Sequence, residues 1–219
     1  MSIDRDTFYH EVRENFFDGK FTQPQVSGIN EILDFWEQEP CQPKGKFKEN
    51  WDIRNIGWLA YMLATTYHET ARTMQPISEH GSDKYFTRMY EKKQCSLGNT
   101  KKGDGAKFHG RGYVQITGRT NYENATKHVQ TYYPDAPNFT ECPEDIKKPE
   151  YATFIMFYGM FLGTFTGKAL KNYIGDHNQG QRVDYYNARR IINGLDCAHK
   201  IEIYAKKFEA ALENAGACA

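Results

Sequence analysis

Along most of this chain apolar residues recur three or four positions apart, the spacing of a single helical face. Phe8, Val12 and Phe16 form one such stripe over a helix from Asp6 to Asn15. Val26, Ile29, Ile32, Leu33 and Trp36 follow at steps of 3, 3, 1 and 3 in "QVSGINEILDFWEQ". A Pro/Gly loop, "EPCQPKGK", separates them from a third helix, in which Ile53, Ile56, Ala60, Leu63 and Tyr67 share a face and Asp52 serves as N-cap. From Gln75 to Phe108 no period stands out, and the segment reads as loop. "GRGYVQIT" reads as a short extended run, after which Thr120 or Asn121 opens a helix through Val129. A Pro-containing loop leads to "YATFIMFYGMFLGTF", Tyr151 to Phe165. This apolar run is shorter than the ~20 residues of a membrane span, so a buried core helix is expected. A short "GKALKNYI" helix, a helix from Val183 to Asn193 stopped by Gly194, and a last helix from Ala198 to Leu212 complete the pattern. There is no internal repeat. The expectation is one mainly α domain over residues 1–219 with at most a small β element.

Composition narrows the function classes. Among 219 residues, 28 Lys and Arg balance 28 Asp and Glu, so no basic excess points to nucleic acid or an anionic membrane. The 15 Tyr and 14 Phe suit an aromatic core or a sugar-binding cleft, and composition does not separate the two. "MSIDRDTFYHEVRENFF" has no apolar h-region, so no secretory signal is expected. The five cysteines (Cys41, Cys95, Cys142, Cys197 and Cys218) are widely spaced and form no C-x-x-C pair, which fits reduced thiols. "NAT" at Asn124 and "NFT" at Asn138 are read as chance sequons.

The chemistry concentrates in "YHETARTMQPISEHG", Tyr67 to Gly81. His-Glu on a helix suggests zinc, but H-E-x-x-H requires a second imidazole where this chain has Arg72. No metal is expected, and His68 reads as a structural histidine rather than a ligand. Glu69 ends an apolar helix, where the negative end of the helix dipole and partial burial both disfavour a charged carboxylate, as a general acid requires. Glu79 lies in a polar loop, which suits an ionised base. Two carboxylates in unlike surroundings are what glycosidic cleavage needs, although two glutamates ten apart also fit plain surface charge. If Tyr113 to Thr117 is extended, Tyr113, Gln115 and Thr117 share one face and Val114 and Ile116 the other, as in a cleft wall backed by core.

"GRGYVQITGRTNY", Gly110 to Tyr122, resembles the G-R-G-x-x-Q-[LI]-[TS]-x-x-x-N-Y signature of family 19 glycoside hydrolases, the group of class I chitinases and phage endolysins. "ATTYHETARTMQPISE" is similar to that group's other landmark, a helix ending in H-E-T with a second Glu nine or ten residues on. "TGKALKNYI", "RRIINGLDCAHKIEIY" and the N-terminal "FFDGKFTQPQVSGINEILDFWE" extend the resemblance over nearly the whole chain, the last toward phage members. The resemblance implies a lysozyme-like fold of two helical lobes around a cleft. It implies Glu69 as general acid, Glu79 as base and Thr117 as the hydroxyl that holds the attacking water. Gln115, Asn121 and Asn193 become sugar-contacting positions, joined on the substrate-binding wall by Tyr113, Arg111 and His68.

The chain departs from the family pattern in three places. Plant members put the base 22 residues after the acid, which here is Glu91 and so an alternative base. Lys200 stands where many members carry Arg, and a point-charge amine does not replace a planar fork. "HETGG" is "HETAR" here. The expected function is a peptidoglycan-cleaving endolysin that inverts the anomeric centre, with a chitinase as the alternative. A non-catalytic glycan-binding or virion protein of the same fold is the reading from another class. No cofactor, nucleic acid or membrane insertion is implied. A monomer is expected, made in a bacterial host cytoplasm and acting on the wall after release.

Overall fold

The computed structural model describes residues 2–37, 55–91, 97–175 and 180–217. The helices are α1 (Arg5–Phe16), α2 (Gln23–Glu37), α3 (Ile56–Glu69), α4 (Asp83–Tyr90), α5 (Asp104–Lys107), α6 (Arg119–Tyr132), α7 (Pro149–Leu162), α8 (Tyr185–Ala188) and α9 (Ala198–Asn214). Two two-residue strands, β1 (Ile77–Ser78) and β2 (Arg111–Gly112), pair antiparallel with Ile77 opposite Gly112 and Ser78 opposite Arg111. The mainly α class with a minimal β element is what the periodicity predicts.

Helix α3 is the axis of the fold. Its run from Leu59 to Tyr67 is buried all round, so it needs neighbours on every side. It packs most extensively along α9, and α1 and α8 also lie against α9. Phe16 of α1 stacks on Phe208 of α9 at 4.1 Å and meets Tyr67 of α3 edge-on at 5.0 Å, which fixes the three helices together. Gly28 of α2 has no alternative: a Cβ there would lie 1.7 Å from the Met74 carbonyl oxygen, so only glycine lets α2 press onto the turn that follows α3.

Several predicted boundaries shift, each for a local reason. The N-cap of α3 is Asn55, whose side chain accepts from the Trp58 N–H, while Asp52 lies outside the described residues, as do Cys41, Cys95 and Cys218. Cys142 and Cys197 are free thiols. The stretch read as loop from Gln75 holds α4 and α5. Helix α4 buries only Phe86, so its two turns leave little apolar period in the sequence. The Val183–Asn193 helix is two short pieces, α8 and a 3-10 turn at Arg189–Ile191, and "GKALKNYI" retains only a 3-10 turn at Leu170–Asn172.

The extended reading of Tyr113–Thr117 fails. Arg111 and Ile116 exchange backbone hydrogen bonds of 3.3 and 3.0 Å, closing a tight turn, and Gln115 has φ +51°. The period-two faces therefore do not exist, and Tyr113 turns into the core with no exposed surface. No helix among the described residues is long and apolar enough to cross a membrane.

Candidate active site

One cleft of about 850 Å³ gathers side chains from several separated stretches of the chain. Glu69 and Ala71 come from the end of α3, Glu79 and His80 from just past β1, and Tyr90 from the end of α4. Gln115, Thr117 and Asn121 come from the tight turn and the start of α6, and Phe165, Thr166 and Asn193 from the far side. The ends of elements thus converge, with the rigid α3 supplying one carboxylate and the short ribbon the other.

The two carboxylates are held differently. Glu69, 17% exposed at its side chain, receives a 2.5 Å contact on Oε1 from a terminal guanidinium nitrogen of Arg189, which is 3% exposed. Arg189 is in turn oriented by donating from Nε to the Asp196 carbonyl at 3.0 Å. The Tyr61 hydroxyl of α3 donates to the Ala188 carbonyl at 2.8 Å and ties the Arg189 turn to the helix that carries Glu69. Among the described residues no cation forms an ion pair with Glu79. Its backbone N–H donates to the Gly110 carbonyl at 2.8 Å, continuing the β1–β2 ladder by one residue. Its carboxylate accepts the Tyr90 hydroxyl, which lies 2.9 and 3.0 Å from the two oxygens, and the Gly110 N–H at 3.2 Å. Burial, then the hydrogen bond and charge of Glu79, push the Tyr90 phenol well above its ordinary range, so it stays a donor at any working pH.

Thr117 and Asn121 sit on the same wall. The Thr117 hydroxyl donates to the Gln115 carbonyl at 3.1 Å and keeps its lone pairs as acceptors, and the Asn121 amide donates to the Thr117 carbonyl at 2.7 Å. Gly118, with φ +94° and the Leu97 carbonyl oxygen 2.6 Å from where a Cβ would stand, makes the bend that opens α6 and aims Asn121 inward. Gln115 reaches the cleft, but its amide donates to the Ile77 and Gly112 carbonyls at 3.0 and 2.9 Å. It is chiefly a brace between the turn and β1, with only its carbonyl oxygen left over. Asn193 is exposed on the rim, its Oδ1 taken by the Gly194 N–H at 2.8 Å.

Four expected positions do not present themselves to the cleft. Tyr113 is enclosed in the core. Arg111, 4% exposed, is consumed by Glu144, the Tyr122 hydroxyl and the Lys107 carbonyl at 2.7 to 2.9 Å, so it knits the wall from behind. His68 is half-buried beside the Glu69–Arg189 pair without lining the cleft. Burial pushes its imidazole below the ordinary range, Glu69 pulls it up and Arg189 pushes it down again. Glu91, the alternative base, caps α4 away from the cleft and accepts the Gly103 N–H at 3.0 Å. Lys200 is exposed on α9, and the cation at Glu69 is Arg189 instead.

Arg189, Tyr90, Phe165 and Thr166 were not anticipated. Arg189 opens "RRIING", the run containing Asn193, and that adjacency was the available signal; nothing around Tyr90 marked it. Among the described residues no group of three or more His, Cys, Asp or Glu could hold a metal ion. Glu69 and Glu79 line one cleft, and two carboxyl groups so placed can give and take protons from a molecule bound between them.

No protein-family model matches the sequence, and no curated protein matches it closely enough to count. Solved structures do match. A mutant of a chitinase C aligns over 96% of this chain and 92% of its own, with TM-score 0.57 and 16% identity. Chitinase C from Streptomyces griseus HUT6037 aligns over 96% of this chain and 76% of its own, with TM-score 0.55 and 16% identity. At this identity the likeness is one of fold: the chain has a mainly α fold similar to that of chitinase C.

Proposed function

We propose that this protein is a glycoside hydrolase that cleaves β-1,4 linkages in the aminosugar polymer of bacterial cell walls, acting as an endolysin after release from a host cytoplasm. One observation carries the reading: Glu69 and Glu79 line the same cleft, each fixed by its own partner, with Thr117 on the wall beside them. Arg189 engages only Oε1 of Glu69, which leaves Oε2 to carry the proton given to the leaving glycosidic oxygen. Glu79 takes a proton from a water, and the Thr117 hydroxyl helps to hold that water. Direct attack by the water on the face opposite the leaving group inverts the anomeric carbon, so a β-linked substrate gives an α product.

The likeness to phage members in the N-terminal helices favours peptidoglycan. The likeness in fold to chitinase C supports a second reading, hydrolysis of chitin. Digestion of purified peptidoglycan and of chitin in parallel separates them. New reducing-end sugars, identified by mass spectrometry after borohydride reduction, are expected from peptidoglycan. Their appearance from chitin alone selects the second reading, and their absence from both overturns the enzyme. Proton NMR of a soluble oligosaccharide digest, read before mutarotation, should show the α anomer first; an initial β anomer overturns the roles given to the two glutamates.

A further inference from the structure

Among the described residues Tyr90 is the one side chain whose hydroxyl lies within 3.0 Å of both oxygens of Glu79, and it does so from an element that supplies nothing else to the carboxylate. Its own position is over-determined. The buried Asn99 amide donates to the Tyr90 carbonyl at 3.1 Å, and Asn99 Oδ1 accepts the Arg119 N–H at 2.8 Å. Arg119 is locked in turn to the buried Asp104. On the ring side, Phe86 stacks parallel to Tyr90 at 6.3 Å and on His109 at 4.2 Å. A phenol held by its backbone and its ring cannot drift, so it fixes the plane of the carboxylate it bonds.

Resting on the reading above, we propose that Tyr90 is the positioning residue of the catalytic base: it orients the Glu79 carboxylate toward the cleft. The Gly110 N–H supplies the second donor, so one oxygen is doubly held and the other accepts from Tyr90 alone. That second oxygen keeps the lone pair that faces an incoming water. A hydrogen bond to a charged acceptor is about twice as strong as a neutral one, which suits a role in fixing the orientation of the carboxylate.

Two measurements on the full chain test this. Tyr90→Phe keeps the ring and its stacking but removes the donor. Its kcat should fall about tenfold or more, the effect of one hydrogen bond to a charged group, while KM stays within about twofold. An unchanged kcat in a variant that melts like wild type overturns the proposal. The second measurement needs no activity. With ¹³Cζ-labelled tyrosine, assigned by the signal lost in Tyr90→Phe, the Tyr90 resonance should carry a titration step on the acid side that reports protonation of Glu79.

Among the described residues, the other charged and titratable groups around Tyr90 are Tyr85, Arg88 and Glu91 nearby in its own stretch of chain, His80 beside Glu79, Asp104 and Lys107 on α5, and His109. The step must vanish in Glu79→Gln and persist in Glu91→Gln. A wild-type resonance with no acid step, or one lost in Glu91→Gln, overturns the contact. A protein inactive on both polymers that still shows the step refutes the hydrolase reading and the catalytic role with it, leaving a Tyr90–Glu79 pair without a reaction to serve.

Discussion

Arg189 donates to Glu69 Oε1 at 2.5 Å, joining two residues 120 positions apart. The guanidinium is buried and the carboxylate nearly so, and a second guanidinium nitrogen is committed to the Asp196 carbonyl. A lysine cannot make both contacts in one plane. Arg189→Lys should therefore lower activity at least tenfold while the protein still folds. Arg189→Ala should also lower stability, toward the lower end of the about 3–5 kcal/mol seen when one partner of a buried pair is removed, because Glu69 keeps some solvent. Thermal melts and initial rates on the same samples check both. Wild-type rates in Arg189→Lys would mean that the pair only staples α3 to the Arg189 turn.

Glu79 faces the cleft and Glu91 does not, which orders the glutamate variants. Glu69→Gln and Glu79→Gln should each lose at least about 100-fold in wall lysis, the scale of general acid–base catalysis. Glu91→Gln should stay within a few-fold, since it forfeits only the bond from the Gly103 N–H. A turbidity assay on permeabilised Gram-negative cells ranks the three. A Glu91 variant as damaged as the Glu69 variant would move the base to the far end of α4.

Helices that bury a broad face were legible in the sequence because burial forces the 3.6-residue period on them: Phe8, Val12 and Phe16 in α1 and the full run of α3 are examples. Helix α4 was not legible, since one buried Phe86 leaves no period to read. The turn at Tyr113–Thr117 was misread because alternation predicts faces only when the backbone is extended, and φ +51° at Gln115 breaks that premise. The same error sent Tyr113 to the cleft instead of the core. Arg189 and Tyr90 were missed for a different reason. Each acts on its glutamate through the tertiary fold, and neither lies at a fixed short spacing from it.

The turn after Glu69 offers a cleaner test of backbone physics. Ala71 and Arg72 hold φ +48° and +68°, the left-handed region that costs a side-chain-bearing residue about 1–2 kcal/mol. Glycine relieves that strain and gives back about 0.5–1 kcal/mol in unfolded-chain entropy. Ala71→Gly should thus be neutral or raise the melting temperature by about 2–4 °C. Arg72→Gly should gain less, because the guanidinium lies 5.7 Å from the centre of the Tyr67 ring and that contact is lost. Differential scanning calorimetry of the two variants checks the order. A melting temperature lowered by several degrees in Ala71→Gly would show that the methyl group is needed where it meets the cleft.

The last expectation concerns acid. Asp104 is 2% exposed, and burial alone would raise its carboxyl. The Arg119 hydrogen bond, the Lys101 and Thr100 N–H groups and the Arg119 charge outweigh it, so the folded value lies below the unfolded 3.8. A carboxyl depressed in the folded state contributes stability that is present above the unfolded value and lost as pH falls through the folded one. Asp104→Asn should therefore destabilise by about 1.5–3 kcal/mol at pH 7, the range for hydrogen bonds to a charged group. The gap from wild type should narrow as pH falls below 3.8 and close once pH passes the lower folded value, where wild type gives up the same interaction. Because Asp104 anchors Arg119, whose N–H holds Asn99 against Tyr90, the variant should also lose activity at neutral pH without any change to a cleft residue. Urea melts at pH 7 and pH 2.5 read the first effect. An equal penalty at both values would mean that Asp104 stabilises the fold by its shape and neutral hydrogen bonds, with its charge contributing nothing.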